Sequence, residues 1–185
     1  MFGTEEKSSP LKPLLFALVA LLIGGGVFWF MSTRKTAAIT ISRLDFYAAH
    51  TTFASKPGTM QIVGQPAQSV DDLYVVATVH LDNKLNFPVF LDSVNATYTA
   101  PDDSVIEAKA PHAADVARIE ESFPALTPLM ANPLPLDPTI APGASIQGTV
   151  LLHFAGLTEQ TWKSRKSATL TINFTHQPPQ TIPIQ

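Results

Sequence analysis

The feature that most constrains this chain is an uninterrupted apolar run near its amino terminus, from Leu14 to Met31. The run holds 18 residues and no charged side chain. At about 1.5 Å per residue, a helix of that length reaches roughly 27 Å, close to the thickness of a bilayer hydrocarbon core. Its far end is aromatic, as suits the headgroup region, and Arg34 and Lys35 follow it. The sequence therefore predicts a single transmembrane helix over residues 14–31, with the membrane as the partner of that segment.

A cleaved signal peptide is the alternative interpretation of this run. Such a peptide has a basic start, an apolar stretch of roughly 7–15 residues and a cleavage site of small residues. Here the stretch is longer and its end is bulky, although cleavage after Ala37 or Ala38 stays open. Basic residues flank the run on both sides, so the positive-inside rule does not decide the orientation. Because the leading segment is short, we expect a single-pass membrane protein with its C-terminal domain outside the cytoplasm, in the periplasm or its equivalent.

The remaining chain has the length of one domain. Residues 1–13 form a short tail, residues 32–37 a juxtamembrane linker, and residues 38–185 the folded domain. From Ser32 onward there are 10 basic and 13 acidic side chains, a balance that argues against a nucleic-acid partner. The chain has no cysteine, which excludes disulfides, thiolate catalysis and cysteine-based metal sites.

Alternating apolar residues indicate that this domain is mainly β. The clearest strand is Leu73–Leu81, in which odd positions share one face and Tyr74, Val76 and His80 share the other. A first segment around Ile39–Leu44 and a short strand at 60–63, after a turn at 55–58, precede it. About seven strands predict an antiparallel, immunoglobulin-like β-sandwich. Six apolar side chains are predicted to be buried in its core: Val75, Val79, Val150, Leu152, Leu170 and Ile172.

The pattern changes in an insert over residues 113–138. Apolar residues from Ala113 to Phe123 recur every three or four positions, which predicts a short helix ending before Pro124. An extended, proline-punctuated loop follows. Two interpretations are open: the insert caps an open edge of the sandwich, or its apolar side chains stay exposed as a patch for a partner. The candidate partner-binding residues are Phe123, Leu126, Leu129, Met130 and Leu134.

Two sequence segments resemble a known group of domains. They are YVVATVHLDN, from Tyr74, and the pattern I-x-PG-x-S-x-x-G-x-V-x-L-x-F over Ile140–Phe154, followed by a closing alternating strand. Together they resemble immunoglobulin-like accessory domains of bacterial envelope proteins, such as the telokin-like group and the LEA type 2 fold. The resemblance covers about residues 73–174. It implies a sandwich fold and no catalytic residues, and the 113–138 insert departs from its plain pattern.

Motifs for chemistry are absent from the sequence. Five histidines lack metal-ligand spacing, although His80 and His153 could meet if their strands were neighbours. We therefore predict no catalytic residue, cofactor or metal. The predicted function is a non-enzymatic, membrane-anchored module that binds or scaffolds a protein partner. A carrier or sensor of an apolar ligand held within the sandwich is one alternative, and a hydrolase using dispersed Asp and His residues is another.

Overall fold

The computed structural model describes residues 11–32, 36–53, 68–135 and 138–185. The chain divides into two compact units, residues 1–35 and residues 36–185. In the first unit, helix α1 spans Leu11–Ser32, and leucine and phenylalanine side chains such as Leu15 and Phe16 are exposed on it. The predicted turn at 55–58 and the predicted strand at 60–63 lie outside the described residues.

The prediction of a transmembrane helix over residues 14–31 is wrong. Among the residues that the structure describes, no helix combines the length and the apolar character needed to cross a membrane. The predicted single-pass topology and the predicted extracytoplasmic location of the domain depended on that helix and are wrong for the same reason.

Over residues 36–53, 68–135 and 138–185, the second unit has eight strands in two antiparallel sheets. The first sheet has the order β1-β2-β6, and the second has the order β4-β3-β7-β8 with β5 paired to β3. The strands are β1 Ala37–Phe53, β2 Gln68–Asn83, β3 Val89–Thr99, β4 Val105–Lys109, β5 Thr139–Ile140, β6 Ser145–Ala155, β7 Ser167–Phe174 and β8 Gln177–Pro183.

The main apolar core lies between the two sheets, because alternate side chains of each strand point inward. All six side chains predicted for this core are buried, with relative exposures from 0% to 4%. The largest side chain in this core is that of Trp162, which lies in the short helix α3, Glu159–Lys163. The Trp162 ring stacks on Tyr98 at 5.9 Å and contacts Phe154 at 5.3 Å between ring centroids. The mainly β prediction and the predicted strand parity are confirmed.

The first strand is longer than predicted, and the third is bent. β1 runs for 17 residues, far beyond Ile39–Leu44, because it pairs with β2 over its whole length although its own pattern does not alternate cleanly. β3 is one continuous strand with a register shift between Leu91 and Ser93, so the segments on either side of that point form one bent strand.

The buried side-chain amide of Asn83 fixes the C-terminal end of β2. The Nδ2 group of Asn83 donates to the carbonyl oxygens of Phe87, Ile140 and Ala141 at 2.9–3.1 Å, and its Oδ1 accepts from the Leu85 N–H at 2.9 Å. These bonds satisfy the polar atoms of the Asn83 side chain, which is buried at 2% exposure. They connect the two sheets through β5.

The insert covers part of the outer face of the first sheet. Helix α2, Ala113–Ser122, agrees with the predicted helix, and a single 3-10 turn over Pro124–Leu126 follows it. Side chains of the insert then form a second, smaller apolar cluster on that face. Its buried members are Ala49, Tyr74, Val76, Leu126, Met130 and Leu151. Tyr74 and Val76 are therefore buried even though they point away from the main core.

Candidate functional site

An apolar cleft lies at the flank of the domain, between α2 and the edge strand β6. Its volume is about 590 Å³. Helix α2 forms one wall, residues 127–135 form another, and Thr149–Leu151 of β6 form the floor. Cavities of this size and apolar character are typical of binding sites in proteins.

Helix α2 presents two stripes of side chains. Val116, Ile119 and Phe123 pack on the apolar cluster of the outer face. Ala113, Ala117 and Glu120, together with Val116, line the cleft. Their spacing of three and four residues places them along one side of the helix. Because two of these side chains are alanines, the helix wall leaves space above the floor.

The floor is closed at the edge of β6 by a short parallel bridge. The Thr149 N–H donates to the Asn132 carbonyl at 2.6 Å, and the Leu134 N–H donates to the Thr149 carbonyl at 2.8 Å. A Cβ placed on Gly148 would lie 2.5 Å from the Leu134 Cα, so only glycine permits this approach of the two backbones. The 131–135 segment is therefore held firmly beside β6.

Few polar side chains reach the cleft. The Thr149 hydroxyl is occupied, since it donates to the Asn132 carbonyl at 2.9 Å. Thr127 adds a second hydroxyl. Glu120, which is half-buried, is the one charged side chain among the described residues that line the cleft. The site is thus an apolar cavity with a single carboxylate.

The five predicted partner-binding residues are distributed between cap and cleft. Leu126, Met130 and Leu134 are buried, at 0%, 5% and 6% exposure, and Phe123 and Leu129 are half-buried. This burial is what the capping interpretation expects. Met130 and Leu134 also line the cleft, whereas the Phe123 ring packs 5.3 Å from that of Tyr74.

Sequence reasoning missed the α2 side of the cleft. Ala113, Ala117 and Glu120 were not among the predicted residues, although the signal was present in the helical spacing. Small residues four positions apart on a helix leave a shallow surface, and a carboxylate three positions further marks its end. The predicted residue Phe123 belongs instead to the apolar stripe of the insert that packs on the sheet.

The two histidines singled out by the sequence do not meet. β2 and β6 are neighbours, but His80 pairs with Gln147 and His153 pairs with Tyr74. Six residues of strand separate the two positions, a distance of about 20 Å. His80 Nε2 lies 2.9 Å from Asp82 Oδ1, and neither histidine lines the cleft.

His153 has a specific environment on the outer face. Its ring stacks on Tyr74 with centroids 4.7 Å apart, and its Nε2 lies 3.2 Å from Asp72 Oδ1 without the alignment of a hydrogen bond. Burial, followed by the Asp72 carboxylate and Tyr47, raises the pKa of Tyr74 above its usual value. Within the described ranges, no three His, Cys, Asp or Glu side chains are grouped so that they could hold a metal ion.

Comparisons with known proteins add little to this geometry. No protein-family model matches the chain, and no curated protein matches it. Among solved structures, the chain is similar to one described as the X-ray structure of Northeast Structural Genomics Consortium target SoR45, at 9% identity and a TM-score of 0.32. The match covers 77% of this chain and 82% of that one. A likeness this weak supports no argument, and the resemblance to bacterial envelope domains stays a prediction.

Proposed function

We propose that the domain of residues 36–185 is a non-enzymatic protein-binding module and that the cleft between α2 and β6 is its binding site. The observation that carries this proposal is the cleft itself, an apolar cavity of about 590 Å³ with small residues on its helix wall. Binding sites commonly place one or two large apolar side chains of the partner in a desolvated pocket. Met130 and Leu134 are positioned to contact such a side chain.

Support for binding rather than catalysis comes from the lining. The cleft contains one carboxylate and two threonine hydroxyls, and one of those hydroxyls already donates to a backbone carbonyl. Catalysis by a nucleophile requires a base within hydrogen-bonding reach, and no histidine lies among the described lining residues. This arrangement favours recognition of an apolar group.

Site-specific photocrosslinking tests the proposal. A benzophenone amino acid is placed at Ala117, which lines the cleft, and in a second protein at Ala114, which is exposed on α2 outside it. Both full-length chains are expressed in the native cell and irradiated. We expect a discrete protein adduct from position 117 and none from position 114. The absence of an adduct at 117, or identical adducts from both positions, would contradict a binding site in this cleft.

The cavity volume favours one alternative, a small apolar ligand. Ligand pockets commonly enclose about 300–1,000 Å³ and are lined by apolar side chains with a few polar groups. The cleft lies at the sandwich flank, whereas the interior between the sheets is filled by side chains such as Trp162. Native mass spectrometry of the full chain distinguishes the two candidates. A copurifying small molecule that is lost in Ala117→Trp and retained in Ala114→Trp would replace the protein partner.

A further inference from the structure

We propose that the partner segment bound in the cleft carries a lysine or arginine directly beside its apolar anchor, and that Glu120 receives this cation. The inference rests on the proposed function and adds the chemistry of the partner. The observation behind it is the negative charge of Glu120 in the cleft, which does not depend on the cavity volume.

Glu120 lies in the wall of the cleft, where its carboxylate can pair with a bound cation. Its carboxylate stands at the end of the stripe that lines the cleft, beside apolar side chains that lower the local dielectric constant. Within the described part of the chain, it has neither an ion pair nor a side-chain hydrogen bond. A half-buried carboxylate without a partner is therefore available to an incoming ammonium or guanidinium group.

The net charge of α2 is negative as well. The helix carries three carboxylates, from Asp115, Glu120 and Glu121, against the single guanidinium of Arg118. Arg118 lies 3.4 Å from Asp115, which leaves Glu121 as a further exposed negative charge next to Glu120. An acidic rim beside an apolar pocket attracts a basic partner and repels an acidic one.

The backbone next to the cleft favours docking through side chains. At an edge, a bound strand needs N–H donors, but the 131–135 segment contains Pro133 and Pro135, which have none. The Leu134 N–H between them is already used by Thr149. Strand addition along this edge is therefore disfavoured. The partner must be recognised by its anchor and its charge.

The test is a titration of the ¹⁵N-labelled full chain with three capped synthetic peptides, observed by NMR. Their central sequences are Lys-Leu-Leu-Lys, Glu-Leu-Leu-Glu and Lys-Gly-Gly-Lys. We expect the first peptide alone to shift the amide signals of residues 113–120 and 131–134. In Glu120→Gln its affinity should fall about tenfold, while the matched variant Glu121→Gln should lose about twofold or less. Ala117→Trp should abolish binding, and Ala114→Trp should leave it unchanged.

The outcomes separate this inference from the proposed function. If both leucine peptides shift the same cleft signals and Ala117→Trp abolishes both, the cleft binds apolar segments and the charge inference is overturned. Equal losses in Glu120→Gln and Glu121→Gln would also overturn it, since the effect would then be general electrostatics. If no peptide shifts the cleft signals while position 117 still crosslinks a protein, the proposed function stands and the peptide chemistry is wrong.

Discussion

The two apolar clusters of this domain differ in how they are built. The interior between the sheets is filled from both sides by alternating strand residues, including Leu170 and Ile172, which have no exposed surface. The outer cluster is covered from one side only, by α2 and the loop that follows it, and the cleft borders it. The interior therefore serves stability, whereas the outer cluster leaves space beside it that a partner can use. Mutations in the two regions should cost different amounts.

The largest expected effect is in the interior. Leu170→Ala removes a fully buried side chain whose neighbours come from both sheets and cannot collapse into the space. We expect a loss of about 4 kcal/mol in the free energy of unfolding, measured by chemical denaturation. Thr169→Ala, on the opposite face of β7, should cost less than about 0.5 kcal/mol. Similar costs for both would mean that the strand register is wrong by one residue.

The next effect is at the junction between β6 and the insert. In Gly148→Ala the added Cβ would lie 2.5 Å from the Leu134 Cα and 2.7 Å from its backbone nitrogen. Backbone atoms cannot move aside as a flexible side chain can, so we expect a cost of about 3 kcal/mol. Hydrogen exchange should become faster at the Leu134 and Thr149 amides first. The exposed neighbour Gln147 provides the control, since Gln147→Ala should leave both amides protected.

A smaller effect is expected in the outer cluster. Met130→Ala removes a buried side chain, as Leu170→Ala does, but Met130 also lines the cleft. Because the lost volume merges with an existing cavity and methionine adapts easily, we expect about 2 kcal/mol. Chemical denaturation of the two variants side by side measures the difference. A cost as large as that of Leu170→Ala would show that the outer cluster is packed as tightly as the interior.

The same difference explains what the sequence could predict. Inward-facing residues such as Val75 and Val150 follow the two-residue period of a strand, so their burial could be read directly. Tyr74 and Val76 occupy the other face of the same strand, and their burial depends on where a distant insert packs. Nothing in the local pattern of β2 carries that information.

The cleft could not be predicted from the sequence for a related reason. The α2 helix was predicted from its spacing, but Glu120 becomes a candidate only when the helix is known to stand beside β6. The close approach at Gly148 likewise depends on contact with Leu134, 14 positions earlier in the chain. The error over residues 14–31 had another source: the length, uncharged character and aromatic end of the apolar run predict a membrane span, and no described helix supports one.

The smallest predicted effect uses the ionisation of Tyr74 in the outer cluster. Burial, the Asp72 carboxylate and Tyr47 raise the pKa of this phenol above its usual value of 10.0. The folded state thus holds the Tyr74 proton more tightly than the unfolded state does. The stabilisation from this difference is complete below about pH 10 and is lost as the pH rises through the folded-state pKa. Tyr74→Phe cannot ionise, so its free energy of unfolding should fall less steeply than that of the wild type above pH 10.

Denaturation at a series of pH values between 8 and about 11.5 measures this difference. The other titratable groups are present in both proteins, so the difference between the two curves reports Tyr74 together with its coupling to Tyr47. If the curves run parallel above pH 10, Tyr74 ionises as freely in the folded state as in the unfolded state. The insert would then leave the phenol in contact with water, and the outer cluster would be an open surface rather than a cap. A wild-type curve that falls away from the variant's above pH 10 means that the insert excludes water from Tyr74, as its packing against Phe123 and His153 requires.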